Sequence, residues 1–183
     1  TIKTKIKSTG NLKKISRALE IISTIKLQKN KAKVLSAKQY FLDLAQLISD
    51  ISNKVDLYDT STVNAWKKTL AIVLTSEKGL CWWLNSKITK LVSTQYPKET
   101  TDIFVIGKKW FEYCKRSGYT IVWYLNLKDE ITQADINPLF GFLEEHGSEY
   151  SQIDVVFSFF HSILTQSASH FTISPLSQEA IEG

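Results

Sequence analysis

"LAIVLTSEKGLCWWLNSKI", residues Leu70–Ile88, decides how this chain is read. An apolar run of strand length passes into a small polar turn, and a helix-like stretch follows with two adjacent tryptophans at its start. In α/β proteins a phosphate is held at such a strand-to-helix turn by the free backbone N–H groups of the helix N-terminus. Here the glycine-rich signatures G-x-x-x-x-G-K-[ST] and G-x-G-x-x-G are both missing from the sequence. Trp82 and Trp83 would also obstruct the close approach of a pyrophosphate, so nucleotide binding is not expected. Neighbouring residues on a helix point about 100° apart. The plainer expectation is that both indoles are core; the alternative is an aromatic anchor for a protein partner.

Outward from this stretch the pattern repeats. Strand-like runs recur at Ile103–Gly107, Thr120–Leu127 and Gln152–Leu164, with a fifth in "HFTISPL" near the end. Helical stretches fit between them at Trp82–Gln95, Lys108–Ser117 and Gln133–His146. Alternation of this kind predicts an α/β layer domain over 66–176 with a mostly parallel, Rossmann-like sheet. Gly107, in "VIGKKW", is a lone glycine after a strand and reads equally well as an ordinary turn.

The N-terminal part is different in kind. From Asn11 to about Leu57 there is neither Pro nor Gly, and apolar residues recur at helical spacing. Leu12, Ile15, Leu19 and Ile22 step by three and four. Val34, Ala37, Phe41, Leu44, Ile48, Ile51 and Val55 continue as a heptad seam, which asks for a partner helix. One helix over 1–58 would run roughly 80 Å at 1.5 Å per residue and would protrude from any compact domain of this size. The seam fails at Lys26, Lys29, Lys31 and Lys33, a basic collar that is either a solvated face or a grip for something acidic.

Charge follows the same division. The net charge is +5, yet eleven of the 23 Lys and Arg and only one of the 18 acids fall within residues 1–38. That segment carries +10 and the remainder −5, which points to an anionic partner at one end. A hydrophobic content of 43% supports a real core. No apolar run reaches the ~20 residues a membrane span needs, and no signal peptide is visible. Methionine is absent even at position 1, so the chain is expected to start after processing or after further residues.

No catalytic or metal-binding constellation emerges. His146, His161 and His170 do not cluster, Glu144 and Glu145 read as a solvated helix face, and Cys81 and Cys114 match no metal spacing. The two cysteines fit a reducing compartment. No cofactor is expected.

The residues themselves carry a resemblance. "IKSTGNLKKISRALEIISTIKLQKNKAKVLSAKQY", Ile6–Tyr40, resembles the N-terminal helix of the gamma subunit of F-type ATP synthases, which reads I-K-S-I-x-N-T-x-K-I-T-x-A-M-E-M-V-x-x-x-K-L-x-K-A. "TSEKGLCWWLNSKI" resembles that family's T-S-D-[KR]-G-L-C-G-G-L-N, and "DIFVIGKKWFEYCKRSG" its V-I-G-x-K-x-x-x-[FY]-[FY]-x-[KR]-x-G. Order and spacing agree over essentially the whole chain, most specifically in the first two motifs.

The resemblance implies a non-catalytic central rotor. Its shaft would turn inside alpha and beta subunits that hold the nucleotides, and its α/β domain would sit near the epsilon subunit and the membrane ring. Lys13, Lys14, Arg17 and Lys26 match basic shaft positions. Leu19 stands at a methionine position beside Glu20, and Lys29 and Lys33 extend the basic face toward acidic beta loops. Ser76, Lys78, Gly79 and Cys81 fall in the strand-end loop near beta and the shaft. The inserted cysteine pair of light-regulated chloroplast members is not seen.

Two departures stand out. The family's Gly-Gly is Trp82-Trp83 here, which suits either an ordinary proton-coupled synthase with altered neighbours or the shaft of a specialised ATP-hydrolysing motor with replacement proteins at the indoles. The closing helix that would pair with the first is missing, and 177–183 reads as the start of a linker to it. The native chain is expected to continue beyond Gly183, or another chain to supply the mate. A basic-helix nucleic-acid-binding protein is the alternative from another class, although its arm would be polar all round. The compartment implied is the cytoplasmic face of a bacterial membrane or an organelle interior.

Overall fold

The computed structural model describes residues 2–52, 67–77, 81–127, 131–162 and 164–174, and over 34–52 the backbone alone. Two compact units divide the chain at Val55/Asp56. The first contains α1, one continuous helix over Ile2–Ser52, about 77 Å long at 1.5 Å per residue. Gly10 lies within it without breaking it. The heptad-seam side chains from Val34 to Val55 lie outside the described residues, as does the polar segment at 59–62.

The second unit is an α/β sandwich. Its elements are β1 (Thr69–Leu74), α2 (Trp82–Gln95), β2 (Thr101–Ile106), α3 (Lys108–Ser117), β3 (Thr120–Leu125), α4 (Gln133–His146), β4 (Gln152–Phe160) and β5 (Gln166–Ser174). The five strands are ordered β3-β2-β1-β4-β5. β1 pairs in parallel with β2, from Thr69↔Thr101 to Leu74↔Ile106, and with β4 on its other side; β2 pairs in parallel with β3. β5 runs antiparallel to β4.

Chain order then places the helices. Right-handed crossovers carry β1 through α2 to β2 and through α3 to β3, covering one face. The connection back across the sheet to β4 carries α4 over the other. Ala71, Val73, Ile103, Val105 and Val156 face α2 and α3, where Ile88, Val92, Trp110 and Cys114 complete the first core layer. Leu70, Ile72, Phe104, Ile106 and Ile153 face the opposite way, against Leu139, Phe142 and Leu143 of α4. β2 lies inside the sheet and is buried along its whole length, which is why Ile103–Ile106 reads as an unbroken apolar run rather than an alternating one.

Local chemistry fixes the ends. α4 begins with a capping box, in which the Asp135 carboxylate accepts from the Thr132 backbone N–H at 2.8 Å and its hydroxyl at 2.6 Å. α3 ends at Gly118 in the left-handed conformation, φ 77°. Strand limits differ from expectation by two residues at β2 and β3, and by four at the β4–β5 hairpin. β4 stops at Phe160 instead of reaching Leu164, because the His161 and Ser162 N–H groups both donate to the Thr165 carbonyl and close a hairpin. β5 starts at Gln166, ahead of the expected His170, since antiparallel pairing with β4 extends it from Phe160↔Gln166 onward.

Candidate functional site

In open α/β sheets the crevice for ligands lies at the carboxyl ends of the strands, where the strand order reverses. Here that point is between β1 and β4, and the turn leaving β1 leads into α2. Beside it, the N-terminus of α3 is already occupied. The Thr75 hydroxyl accepts the Trp110 N–H at 3.2 Å, and the Ser76 carbonyl accepts the Lys109 N–H at 3.3 Å. The first turn of α3 is thus sealed against the end of β1.

Gly107 explains itself at the same place. Its φ is 110°, and a Cβ there would clash with the Thr75 carbonyl. The glycine in "VIGKKW" therefore permits the close passage of β1, and phosphate has no part in it.

Ser76 also receives the Asn85 side-chain N–H on its hydroxyl at 2.8 Å, while its own N–H donates to Asn85 Oδ1 at 3.3 Å. Glu77 spans further. Its carboxylate accepts the Lys108 N–H at 3.2 Å and the Leu127 N–H at 3.3 Å, so one side chain ties together the chain segments that follow β1, β2 and β3. Lys78 and Gly79 lie outside the described residues.

Beyond this framework Cys81 is exposed at the start of α2, and the indoles stand clear of the core. Trp82 is 73% exposed and Trp83 is 55% exposed. Neither indole is in the core, contrary to expectation, and the reason is angular. Ile88 and Val92 set the buried side of α2. At 100° per residue Trp83 lies about 140° and Trp82 about 120° round the helix from Ile88. The indoles meet edge to face with centroids 6.2 Å apart. Lys87 sits 4.5 Å over the Trp83 ring and donates to the Gln166 carbonyl at 2.5 Å, which ties the aromatic pair to the β4–β5 hairpin. Phe160 and Leu164 of that hairpin are exposed as well.

The other expected site residues fall on α1. Lys13, Lys14, Arg17, Leu19, Glu20, Lys26, Lys29 and Lys33 are all exposed within their unit. Leu12, Ile15, Leu19 and Ile22 are each more than half exposed and form an apolar stripe along a basic helix. A helix carrying both is built to be covered by protein.

Among the described residues the titratable groups form no catalytic set. Burial pushes the Cys114 thiol up to about 12. Tyr150 is raised to about 12, by burial first and then by the Asp102 carboxylate. His146 is raised by its hydrogen bond to Glu149, Nδ1 to Oε1 at 3.0 Å. His161 bonds the Ser167 hydroxyl at 2.8 Å, and His170 lies edge-on to Tyr96. Among the described residues no three His, Cys, Asp or Glu side chains come together as a metal site, and no helix is long and apolar enough to cross a membrane.

The α/β unit thus has the first N–H groups of α3 taken up by Thr75, Ser76 and Glu77, and the other unit is a long basic helix striped with exposed leucine and isoleucine. A family model described as ATP synthase matches residues 1–182. The ATP synthase gamma chain of Bdellovibrio bacteriovorus is 29% identical over 188 residues, covering 96% of this chain and 63% of that protein. The gamma chain of Mycoplasma mycoides is 34% identical over 140 residues, covering 74% and 47% respectively. The chain belongs to the ATP synthase gamma-chain family, and it spans between about half and two thirds of these relatives' length.

Solved structures share the fold. The central stalk and c-ring of Tetrahymena thermophila mitochondrial ATP synthase matches with a TM-score of 0.52 at 16% identity, over 74% of this chain and 70% of that one. The rotor of the Euglena gracilis enzyme matches with a TM-score of 0.51 at 15% identity, over 84% and 60%.

Proposed function

We propose that this chain is part of the non-catalytic central rotor of an F-type rotary ATPase, transmitting torque between a catalytic alpha/beta assembly and its coupled machinery. One observation carries the reading: α1, a 51-residue helix, combines a dense positive charge with an apolar stripe that its own unit leaves exposed. Acidic loops of a surrounding subunit complement such a surface. Attraction over a distance guides them, and the stripe supplies contact once they arrive.

In this reading 1–58 is half of the shaft, with Lys13, Lys14, Arg17, Leu19, Glu20, Lys26, Lys29 and Lys33 facing beta. The unit over 66–176 meets beta through Ser76, Lys78, Gly79 and Cys81, and its further partners are the epsilon subunit and a membrane ring. The complex works in proton-coupled ATP synthesis at the cytoplasmic face of a bacterial membrane or inside an organelle. Within the chain itself no residue does bond chemistry and no cofactor is held.

A second reading within the same class rests on Trp82 and Trp83. Exposed indoles at the family's Gly-Gly position favour a specialised ATP-hydrolysing motor in which other proteins replace the ring. Affinity capture of the full-length native protein, with mass spectrometry of everything retained, separates these. Alpha- and beta-type subunits recovered with ring subunits support the synthase; recovery with unrelated proteins supports the specialised motor. Recovery of neither, together with tight and salt-sensitive binding to random DNA, overturns the proposal in favour of a nucleic-acid-binding helix.

A further inference from the structure

At the amino-terminal edge of the sheet, opposite the indoles, lies a buried charge that torque transmission leaves unused. Asp154, near the start of β4, is 1% exposed. Its carboxylate accepts the Tyr96 hydroxyl at 2.8 Å on Oδ2, the Thr172 hydroxyl at 2.7 Å on Oδ1, and the Gln152 amide at 3.0 and 2.8 Å across both oxygens. All three donors are neutral. Among the described residues no Lys, Arg or His pairs with it. Burial, and then the Asp154 hydrogen bond and charge, hold the Tyr96 hydroxyl far above its ordinary pKa, so this donor stays protonated. Hydrogen bonds satisfy the carboxylate's lone pairs, yet all come from neutral groups, and a buried carboxylate without a cationic partner is a costly arrangement.

A cavity of about 190 Å³ lies against this group. Thr101 and Asp154 form its buried floor, and Gln95, Thr100 and His170 stand exposed at its mouth. Gln95 is the last residue of α2, whose final turn carries no basic side chain. The negative end of that helix therefore lies at the same opening. The volume corresponds to roughly six waters at ~30 Å³ each, enough for a small polyatomic cation.

We propose that this cavity binds an organic cation headgroup, an alkylammonium or guanidinium, seated over Asp154 at the C-terminus of α2. The Asp154 lone pairs are already engaged by donors. Its attraction thus acts as charge at short range, while the direct contacts fall to the threonine hydroxyls and glutamine carbonyl oxygens of the lining. Those acceptors suit a cation that carries several N–H groups. A bare divalent ion would need further carboxylates, and the lining holds none. The headgroup comes from an Arg or Lys side chain of a neighbouring protein or from a free small amine. The site stands independently of the rotor reading.

The test is a titration of the ¹⁵N-labelled full-length chain with methylguanidinium chloride, matched in ionic strength by KCl. Saturable shifts at Thr69, Thr101, Gln152 and His170 are expected with methylguanidinium and not with KCl. Asp154→Asn should weaken binding at least about tenfold. Because that variant also disturbs the Tyr96 and Gln152 bonds, Gln95→Arg serves beside it. Gln95 is exposed, so the fold survives, and the tethered guanidinium should occupy the cavity, raise the melting temperature and abolish the saturable shifts. A capped Gly-Arg-Gly peptide distinguishes the sources: binding at least as tight as methylguanidinium supports a protein side chain, and exclusion of the peptide supports a free amine. Shifts that rise linearly with concentration, that KCl reproduces, or that persist unchanged in Gln95→Arg overturn the proposal.

Discussion

Replacing the two indoles one at a time separates what they do for this chain from what they do for a partner. A tryptophan carries ~200 Å² of side-chain surface. Trp82, 73% exposed, buries about a quarter of that, and at ~25 cal/mol/Å² its removal costs roughly 1.3 kcal/mol. Trp83, 55% exposed, buries a little under half, or roughly 2.2 kcal/mol, and loses the Lys87 contact worth about 0.5–1 kcal/mol more. Alanine is the better helix former and returns about 0.3–0.5 kcal/mol in each case. Equilibrium urea unfolding of the full-length chain should therefore show losses of about 1 kcal/mol for Trp82→Ala and about 2.5 kcal/mol for Trp83→Ala. Core tryptophans cost ~3–5 kcal/mol when truncated to alanine. A loss above about 3 kcal/mol for Trp82→Ala would refute the exposed placement and the angular argument behind it. If the indoles anchor a partner, each substitution should also weaken assembly by about 2 kcal/mol, near thirtyfold, while the isolated chain stays folded.

Gly107→Ala should destabilise the α/β unit by at least about 3 kcal/mol, combining the strain of φ 110° with the clash at the Thr75 carbonyl; thermal unfolding reads it, and a change within 1 kcal/mol of wild type contradicts the close passage of β1. Maleimide labelling of the native chain should modify the exposed Cys81 rapidly and leave the buried Cys114 untouched until the unit unfolds, as peptide mass mapping over time would reveal. Stability should fall as pH rises from about 9 to 12. Both Cys114, raised to about 12 from 9.0, and Tyr150, raised to about 12 from 10.0, ionise first in the unfolded chain, so their contribution is complete below the unfolded values and lost as pH climbs through the folded ones. Cys114→Ala should flatten the lower part of that decline, and an unchanged profile would remove Cys114 as its cause.

The helices of the α/β unit were legible because each starts and stops on local chemistry. Thr132 and Asp135 cap α4, Gly118 ends α3, and the apolar spacing of Ile88 and Val92 marks α2. The alternation of elements gave the mostly parallel sheet for the same reason. What escaped depends on residues far apart in the chain. Asp154 reads as a polar interruption of a strand, and only folding brings Tyr96, 58 positions earlier, to its carboxylate. The start of β5 is set by antiparallel partners on β4 rather than by its own Ser- and Ala-rich sequence. The exposure of the tryptophans is implicit in the sequence only once Ile88 and Val92 are known to be the buried side of α2, because local spacing alone does not say which face of that helix meets the sheet. The basic residues of α1 stand out through charge alone, since eleven cations with one acid over residues 1–38 need no tertiary information to be seen.

Glu77 has a mechanical consequence. By receiving the Lys108 and Leu127 N–H groups together, it braces the segments that leave β1, β2 and β3 against one another. A load on any one of these three segments is shared with the other two, so the strand ends resist together. Without that brace the same push would bend one loop and be dissipated as local motion.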